Sequence, residues 1–435
     1  MRKLLPAFMF FMIFSPKIGG TIDSLSFFCF FVFIISFLID KRLVLPKAIA
    51  RPTALFLTFG LTMIAYSFII KSLNGVVDNY QVLRFGRVII NCLGVFGLMR
   101  LYLFYYRFNA YYERVLFHLW VCIILHGTLM LLMFAFSSVN QFVITQLVQM
   151  DESNRSFETR FLGQRIGGLT SSWDAASGVQ SLGILMLPFV LNYREWSPFL
   201  RRLIYLTIPI SLVAIFISGV TGLVNIVIVG LILFVFNFSY LRRYIGKSLK
   251  VAFILFLISL PVLFFLKANS DAEWIRESSI GRTLFMITQD ENLYQKSGRA
   301  STADETVERI SSDMYFFPHD DQVLLFGRGG SGRSEDYVIK ADPGPTLNLH
   351  NLGIIFVLIV YTYCFLMIRN VISLSKLNLF LSLAVASVLL TIMIIDAKVM
   401  YLFARQSWSI MLIAFYVFYA FYDASSPKYS RQKIH

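Results

Sequence analysis

Long apolar runs recur along this chain almost from end to end, and they restrict its fold more than any other feature of the sequence. A run of about 20 apolar residues, rising about 1.5 Å per residue, crosses the roughly 30 Å hydrocarbon layer of a bilayer as an α-helix. Of the 435 residues, 57% are apolar and only 15% charged, and the mean hydropathy is +0.69. A soluble chain of this length carries far more charge. The runs lack a period-two alternation, so helices rather than a barrel must satisfy the backbone groups that lipid cannot. The chain therefore reads as one all-α, polytopic membrane domain over 1–435.

Runs at roughly 4–20, 22–39, 53–71, 82–99, 114–136, 176–193, 203–218, 220–238, 250–266, 348–368, 378–395 and 407–423 predict about twelve transmembrane helices. The opening Met1-Arg2-Lys3 and the apolar stretch after it resemble a signal peptide, but no small-x-small cleavage site follows, so an uncleaved first helix is expected. The net charge of +14 is not spread evenly. Lys41, Arg42, Lys47 and Arg51 fall in one connection. Arg100, Arg107 and Arg114 fall in the next alternate one, and Arg194, Arg201 and Arg202 in the one after. Arg242, Arg243, Lys247 and Lys250 continue the pattern, as do Arg369 with Lys376 and the tail with Lys428, Arg431 and Lys433. Alternate basic connections place those segments and both termini on the cytoplasmic side. The same placement excludes nucleic-acid binding, because no basic soluble module is present. Cys29, Cys92, Cys122 and Cys364 all lie in apolar runs and read as packing residues.

Two connections on the opposite side are long, 137–175 and 267–347, the second inserted between the ninth and tenth runs. Long loops in compact proteins are functional more often than idle. Within the second, Thr302-x-x-Glu305 followed by Val307, Ile310 and Met314 predicts an amphipathic helix over 302–314, ended by Pro318. A glycine-rich turn follows at Gly327, Gly329, Gly330 and Gly332. Arginines crowd both loops: Arg155, Arg160 and Arg165 in the first; Arg276, Arg282, Arg299, Arg309, Arg328 and Arg333 in the second. A guanidinium presents a planar fork of donors that matches phosphate oxygens and stays charged. As a set these residues point to a phosphorylated, lipid-linked ligand; taken singly, each also fits an ion pair with a loop carboxylate or a lipid headgroup.

His350 stands where the second loop enters the membrane and suits a general base, or equally an interfacial histidine bonded to a loop carbonyl. His319 with Asp320 and Asp321 lacks the further ligand that a metal site needs, so no metal is expected there. His118 and His126 read as packing residues of the fifth helix. Arg84 and Arg87, three apart near the outer end of the fourth helix, are expected to share a face and reach a pyrophosphate at headgroup level, with snorkelling to the interface as the competing reading. Asp396, Lys398 and Arg405 flank the last outer connection. There is no phosphate-binding P-loop, dinucleotide fingerprint, zinc-protease motif or nucleophile elbow, so no nucleotide, metal or other cofactor is expected.

Several of these segments together resemble the Wzy-type O-antigen polymerases and the wider polymerase and ligase group. They are Arg165-Ile166-Gly167-Gly168-Leu169, Ser297-Gly298-Arg299, Leu325-Phe326-Gly327-Arg328-Gly329, Asp342-Pro343-Gly344 and Leu349-His350-Asn351-Leu352-Gly353. Arg333 and Gly344 also have the arginine-x10-glycine spacing of those polymerases. The ligase pattern of His-Asn followed ten positions later by glycine has Tyr361 at the glycine position, whereas Arg165-x3-Leu169 fits a ligase motif. The resemblance implies glycosyl transfer at the periplasmic face of a bacterial inner membrane. A glycan on undecaprenyl pyrophosphate would pass to a sugar hydroxyl of a lipid-linked repeat unit, with no metal or nucleotide. It assigns catalysis to His350, Arg299 and Arg165, and substrate binding to Arg160, Arg328, Arg333, Asp342, Arg84 and Arg87. Its partners would be the lipid-linked oligosaccharide, the bilayer and, as the protein to look for, a chain-length regulator. The rival readings are an O-antigen ligase delivering the same donor to lipid A-core, and a lipid-linked oligosaccharide flippase.

Overall fold

The computed structural model describes residues 1–16, 24–41, 46–106, 111–148, 166–170, 172–219, 221–241, 314–331, 333–334, 337–339 and 343–424. These are almost wholly helical. In chain order they are α1 (Leu5–Phe14), α2 (Ser24–Ile39), α3 (Lys47–Leu73), α4 (Tyr80–Tyr106), α5 (Tyr111–Ala135) and α6 (Ser137–Phe142). After the first long connection come α7 (Trp173–Leu185), α8 (Leu187–Asn192), α9 (Pro198–Ser218), α10 (Thr221–Phe236) and α11 (Phe238–Leu241). The last set is α12 (Asp321–Phe326), α13 (Gly344–Ser373), α14 (Leu379–Lys398) and α15 (Arg405–Ala424). A two-residue antiparallel pairing of β1 (Arg333–Ser334) with β2 (Tyr337–Val338) is the extended structure among the described residues.

Eight helical stretches are long and apolar enough to cross a membrane: Lys47–Leu73, Tyr80–Tyr106, Tyr111–Ala135, Trp173–Asn192, Pro198–Ser218, Gly344–Lys376, Leu379–Lys398 and Gln406–Ala424. The chain is thus a multi-pass helical membrane protein. Three further expected runs form shorter helices, of 10 residues in α1 and 16 each in α2 and α10. The run at 250–266 and the helix expected over 302–314, apart from its final Met314, lie outside the described residues.

The centre of the bundle is set by how much of each helix is covered. The apolar windows of α14 and α15 are 78% buried, against 28% for α3 and 33% for α9, so α14 and α15 are central and α3 and α9 face outward. Small residues let neighbouring helices approach closely, as expected where lipid gives no hydrophobic drive between helices. A side chain at Gly94 would meet Cys29 of α2, and one at Gly97 the backbone of Phe33. On α7, Gly178 lies against Ile395 of α14 and Gly183 against Ser211 of α9.

The two ends of the bundle differ in chemistry. At one end Arg100 donates to the Asp40 carbonyl at 2.5 Å and lies over Phe37. Arg2 and Arg114 lie over Tyr106, Arg194 lies over Trp196, and Arg51 faces Asp423. These are the residues of the basic connections, gathered as the alternation of charge requires.

At the other end α13 is broken. Gly353 has φ 80° and ψ 167° inside the helix, and the carbonyls before it lose their helical partners. The glycine-rich segment replaces them: Arg328 N donates to His350 O and Gly329 N to Asn351 O, each at 2.9 Å, and the Tyr66 hydroxyl sits between Phe326 O at 2.6 Å and Leu352 O at 3.1 Å, sharing its one hydrogen. Gly353 backs onto the Leu325 and Phe326 backbone, so a side chain there meets strain and collision together. Gly353→Ala is expected to cost on the order of 1–3 kcal/mol and lower the melting temperature in detergent. Gly230, in α10 with open space around it, is the control: Gly230→Ala should leave stability equal or raise it by up to about 1 kcal/mol.

Candidate functional site

The broken end of α13 brings four chain segments together. The 326–331 segment lies in the α3–α4 connection, where Asn74 donates to the Gly327 and Arg328 carbonyls at 3.2 Å. Gln81 donates to Gly330 O at 2.9 Å, and Asp78 accepts the Ser331 amide. Gly329, at φ 86°, packs on the Lys71 backbone with no room for a side chain. Ahead of it, Asp320 caps α12 by accepting from Gln322 N and Val323 N, which gives that carboxylate a structural role. Tyr315 donates to the Ala397 carbonyl at the end of α14, and Thr346 donates to Met314 O. Burial raises the Tyr315 hydroxyl above its ordinary value, and the Asp396 carboxylate adds to the shift.

A chain of hydrogen bonds runs through this end. Arg84, 5% exposed, donates from Nη1 to Gln81 Oε1 at 3.2 Å and to Asn348 Oδ1 at 3.1 Å. Asn348 donates to the Tyr361 hydroxyl at 3.2 Å, and Tyr361 donates to Asp396 Oδ2. Asp396 is fully buried. Its Oδ1 accepts the Tyr401 and Leu402 amides at 2.6 Å each, which ties the α14–α15 connection to the network. Gly344, the first residue of α13, lies directly on the Asp396 carboxylate. The Arg84 guanidinium sits over the Phe403 ring, 4.8 Å from its centre, and its Nη2 has no hydrogen-bond partner among the described residues.

His350 is 3% exposed and its ring packs edge-on against Phe316. Arg328 is half-buried in the glycine segment. Arg84 and Arg87, one turn apart on α4, meet different surroundings: Arg84 is buried and Arg87 is exposed, so the edge between the covered and open sides of the helix runs between them. Arg333 belongs to β1, and its side chain, like Arg165, Arg160, Arg299 and Asp342 entire, lies outside the described residues.

The Arg165-to-Leu169 motif continues into a turn held beside α5. His126 accepts the Leu169 amide on Nε2 at 3.0 Å and meets Gln180 at Nδ1, stacked on Phe14. Gly168, at φ 59°, leans on the same ring. His118 bonds the Tyr102 hydroxyl at 2.6 Å. Both histidines are thus hydrogen-bonding hubs as well as packing residues. Beside the turn, Lys398 pairs with Asp174 at 2.8 Å and donates to Thr221 at 2.7 Å.

The sequence reading missed Gln81 and Asn348, and met Tyr361 only as a position in a motif, because uncharged polar residues inside apolar runs are unremarkable until their partners are known. Asp396 was visible as a charge next to a span, the signal that marks an intramembrane acid worth following. Among the described residues no cluster of three metal-ligating side chains occurs. Comparison with family models, curated proteins and solved structures gives no match.

Asp396 accepts two amides and a hydroxyl, so truncation leaves three donors buried. Asp396→Ala is expected to lower stability by several kcal/mol, at about 1–3 kcal/mol per orphaned donor. Asp396→Asn, which keeps Oδ1 as an acceptor, should lose clearly less. Thermal unfolding of the purified protein gives the order, and equal losses in the two variants would contradict the bonding described.

Proposed function

We propose that this chain is a polysaccharide polymerase. It transfers an undecaprenyl-pyrophosphate-linked glycan onto a lipid-linked repeat unit at the periplasmic face of a bacterial inner membrane. The proposal takes the chain as about twelve spans with both termini cytoplasmic, so that the broken end of α13 faces the periplasm. The family resemblance on which it draws rests on the short segments quoted above.

The observation that carries it is Arg84. An arginine buried at this end, backed by Asn348, Tyr361 and Asp396, keeps one nitrogen without a partner among the described residues, beside the helix that bears His350. Burial strengthens a charge-assisted bond to a phosphate oxygen, and the aromatic face of Phe403 supports the cation. In the reaction the acceptor sugar oxygen forms a bond to the anomeric carbon of the donor glycan. The bond from that carbon to the phosphate oxygen breaks, and undecaprenyl pyrophosphate leaves with the electron pair. Arg84 steadies the charge that develops on the leaving group, with Arg165, Arg299 and Arg328 as further clamps from the two loops. His350 takes the proton of the acceptor hydroxyl. Arg160, Arg333 and Asp342 are proposed as substrate contacts, and Arg87 as a lipid-headgroup contact at the outer surface of α4.

The ligase reading shares this donor chemistry, and the same experiment separates the two. In a strain lacking the native gene, complemented with variants at equal protein levels, the surface-polysaccharide ladder is scored. Arg84→Gln is expected to reduce polymer at least about tenfold, the loss of one buried charge-assisted bond, and to leave single repeats on the core. Arg87→Gln should keep the ladder. A full ladder with Arg84→Gln overturns the assignment, and lipid-linked polymer without capped core indicates a ligase.

A further inference from the structure

We infer that Asn351 and Arg84 together form a subsite for one glycosyl phosphate, in which Arg84 takes a phosphate oxygen and the Asn351 amide takes the adjacent sugar. The inference rests on the proposed reading of this end as a lipid-phosphate site and specifies the part of the ligand that lies next to the phosphate.

Two observations lead to it. Asn351 is 1% exposed, and among the described residues neither its Nδ2 nor its Oδ1 has a hydrogen-bond partner, and neither does Arg84 Nη2. Buried polar atoms in native proteins are nearly always bonded, and leaving them bare costs stability. Three such atoms, on Arg84 and on the residue one turn along α13 from the Asn348 that bonds it, call for a partner that the described residues do not supply. The second observation is their placement. Asn348 and Asn351 stand three residues apart on one face of the first segment of α13, and Asn348 is the residue that holds Arg84. Asn351 is the next side chain along that face. Its backbone is fixed by the bond from Gly329 N to its carbonyl and by Gly327 packed against it, so the amide is presented from a rigid support.

The chemistry of the open atoms selects the ligand. Arg84 offers donors only, which suits a phosphate oxygen. The Asn351 amide offers one acceptor and a pair of donor hydrogens. A bare phosphate provides no hydrogen for Oδ1 and so satisfies half of it. Two neighbouring polar substituents of a pyranose ring satisfy both ends, one donating to Oδ1 and the other accepting from Nδ2. The sugar attached directly to the phosphate has such a pair within reach. Asn351 thereby reads whether the lipid phosphate carries a sugar.

The full chain in lipid nanodiscs is titrated with two probes, undecaprenyl pyrophosphate alone and the same lipid bearing a single hexose. The wild type is expected to bind the glycosylated probe at least tenfold more tightly. Asn351→Leu, similar in shape and without the amide, should bring that ratio to about one while leaving the bare lipid's affinity and the melting temperature unchanged or higher. Asn351→Asp, which keeps the acceptor and loses the donor, should give an intermediate ratio and serves if the leucine variant does not fold. Arg84→Gln should weaken both probes by the same factor. Equal wild-type affinities, or a ratio untouched by both Asn351 variants, overturns the subsite and leaves an ordered water as the occupant. A ratio that depends on Asn351 in a chain that makes no polymer in cells keeps the subsite and removes the polymerase reading. Normal polymer with an unaltered ratio removes the subsite alone.

Discussion

A helix that stops and restarts inside a bundle must find new partners for the carbonyls it strands, and everything at the broken end of this bundle follows from that requirement. Non-helical backbone cut off from water persists only where protein surrounds and bonds it. Here Gly353 opens α13, and the 326–331 segment and Tyr66 close the gap by bonding the carbonyls of His350, Asn351 and Leu352. The same segment is then held by Asn74, Asp78 and Gln81 from the α3–α4 connection. One interruption in one helix thereby joins α13, the 326–331 segment and the start of α4, whose Arg84 bonds Asn348.

The bundle separates two kinds of positive charge. At one end the arginines lie over aromatic rings or near carboxylates, Arg114 over Tyr106 and Arg194 over Trp196, an arrangement suited to anchoring at an interface. At the other end Arg84 is buried and oriented by neutral polar groups that lead to a buried carboxylate. Removing two charges from water is costly, and a carboxylate bonded by two amides and a hydroxyl offsets part of that cost while directing the cation. The Asp174, Lys398 and Thr221 cluster closes the same end beside the turn that follows Arg165.

The all-helical, multi-pass character was legible in the sequence because hydropathy and length are local properties, and eight of the expected runs form helices long and apolar enough to cross a membrane. Three runs that look similar in sequence form shorter helices; α2 ends just before Asp40 and α10 just before Asn237. The glycine-rich turn at 327–330 was also visible, but not the reason for it. Gly327 and Gly329 have positive φ and press on the Asn351 and Lys71 backbones, which are far from them in the chain. Of the residues named as candidates, Arg84 is buried against Asn348, His350 is buried against Phe316 two residues further along α13, and Arg87 is exposed. Asn348 escaped notice, and Tyr361 and Asn351 entered only as positions in a motif, since a neutral polar side chain shows its importance only through long-range partners, here Arg84 for Asn348 and Asp396 for Tyr361.

The central claim is that lipid phosphate is received at the broken end of α13, on the guanidinium of Arg84. Electron cryomicroscopy of the protein in nanodiscs loaded with undecaprenyl pyrophosphate tests this most directly. The account predicts phosphate density within hydrogen-bonding distance of Arg84, under the segment that carries Gly327 to Gly330. Phosphate density at the opposite end, beside Arg114 and Arg194, with the Arg84 region unchanged, would contradict it.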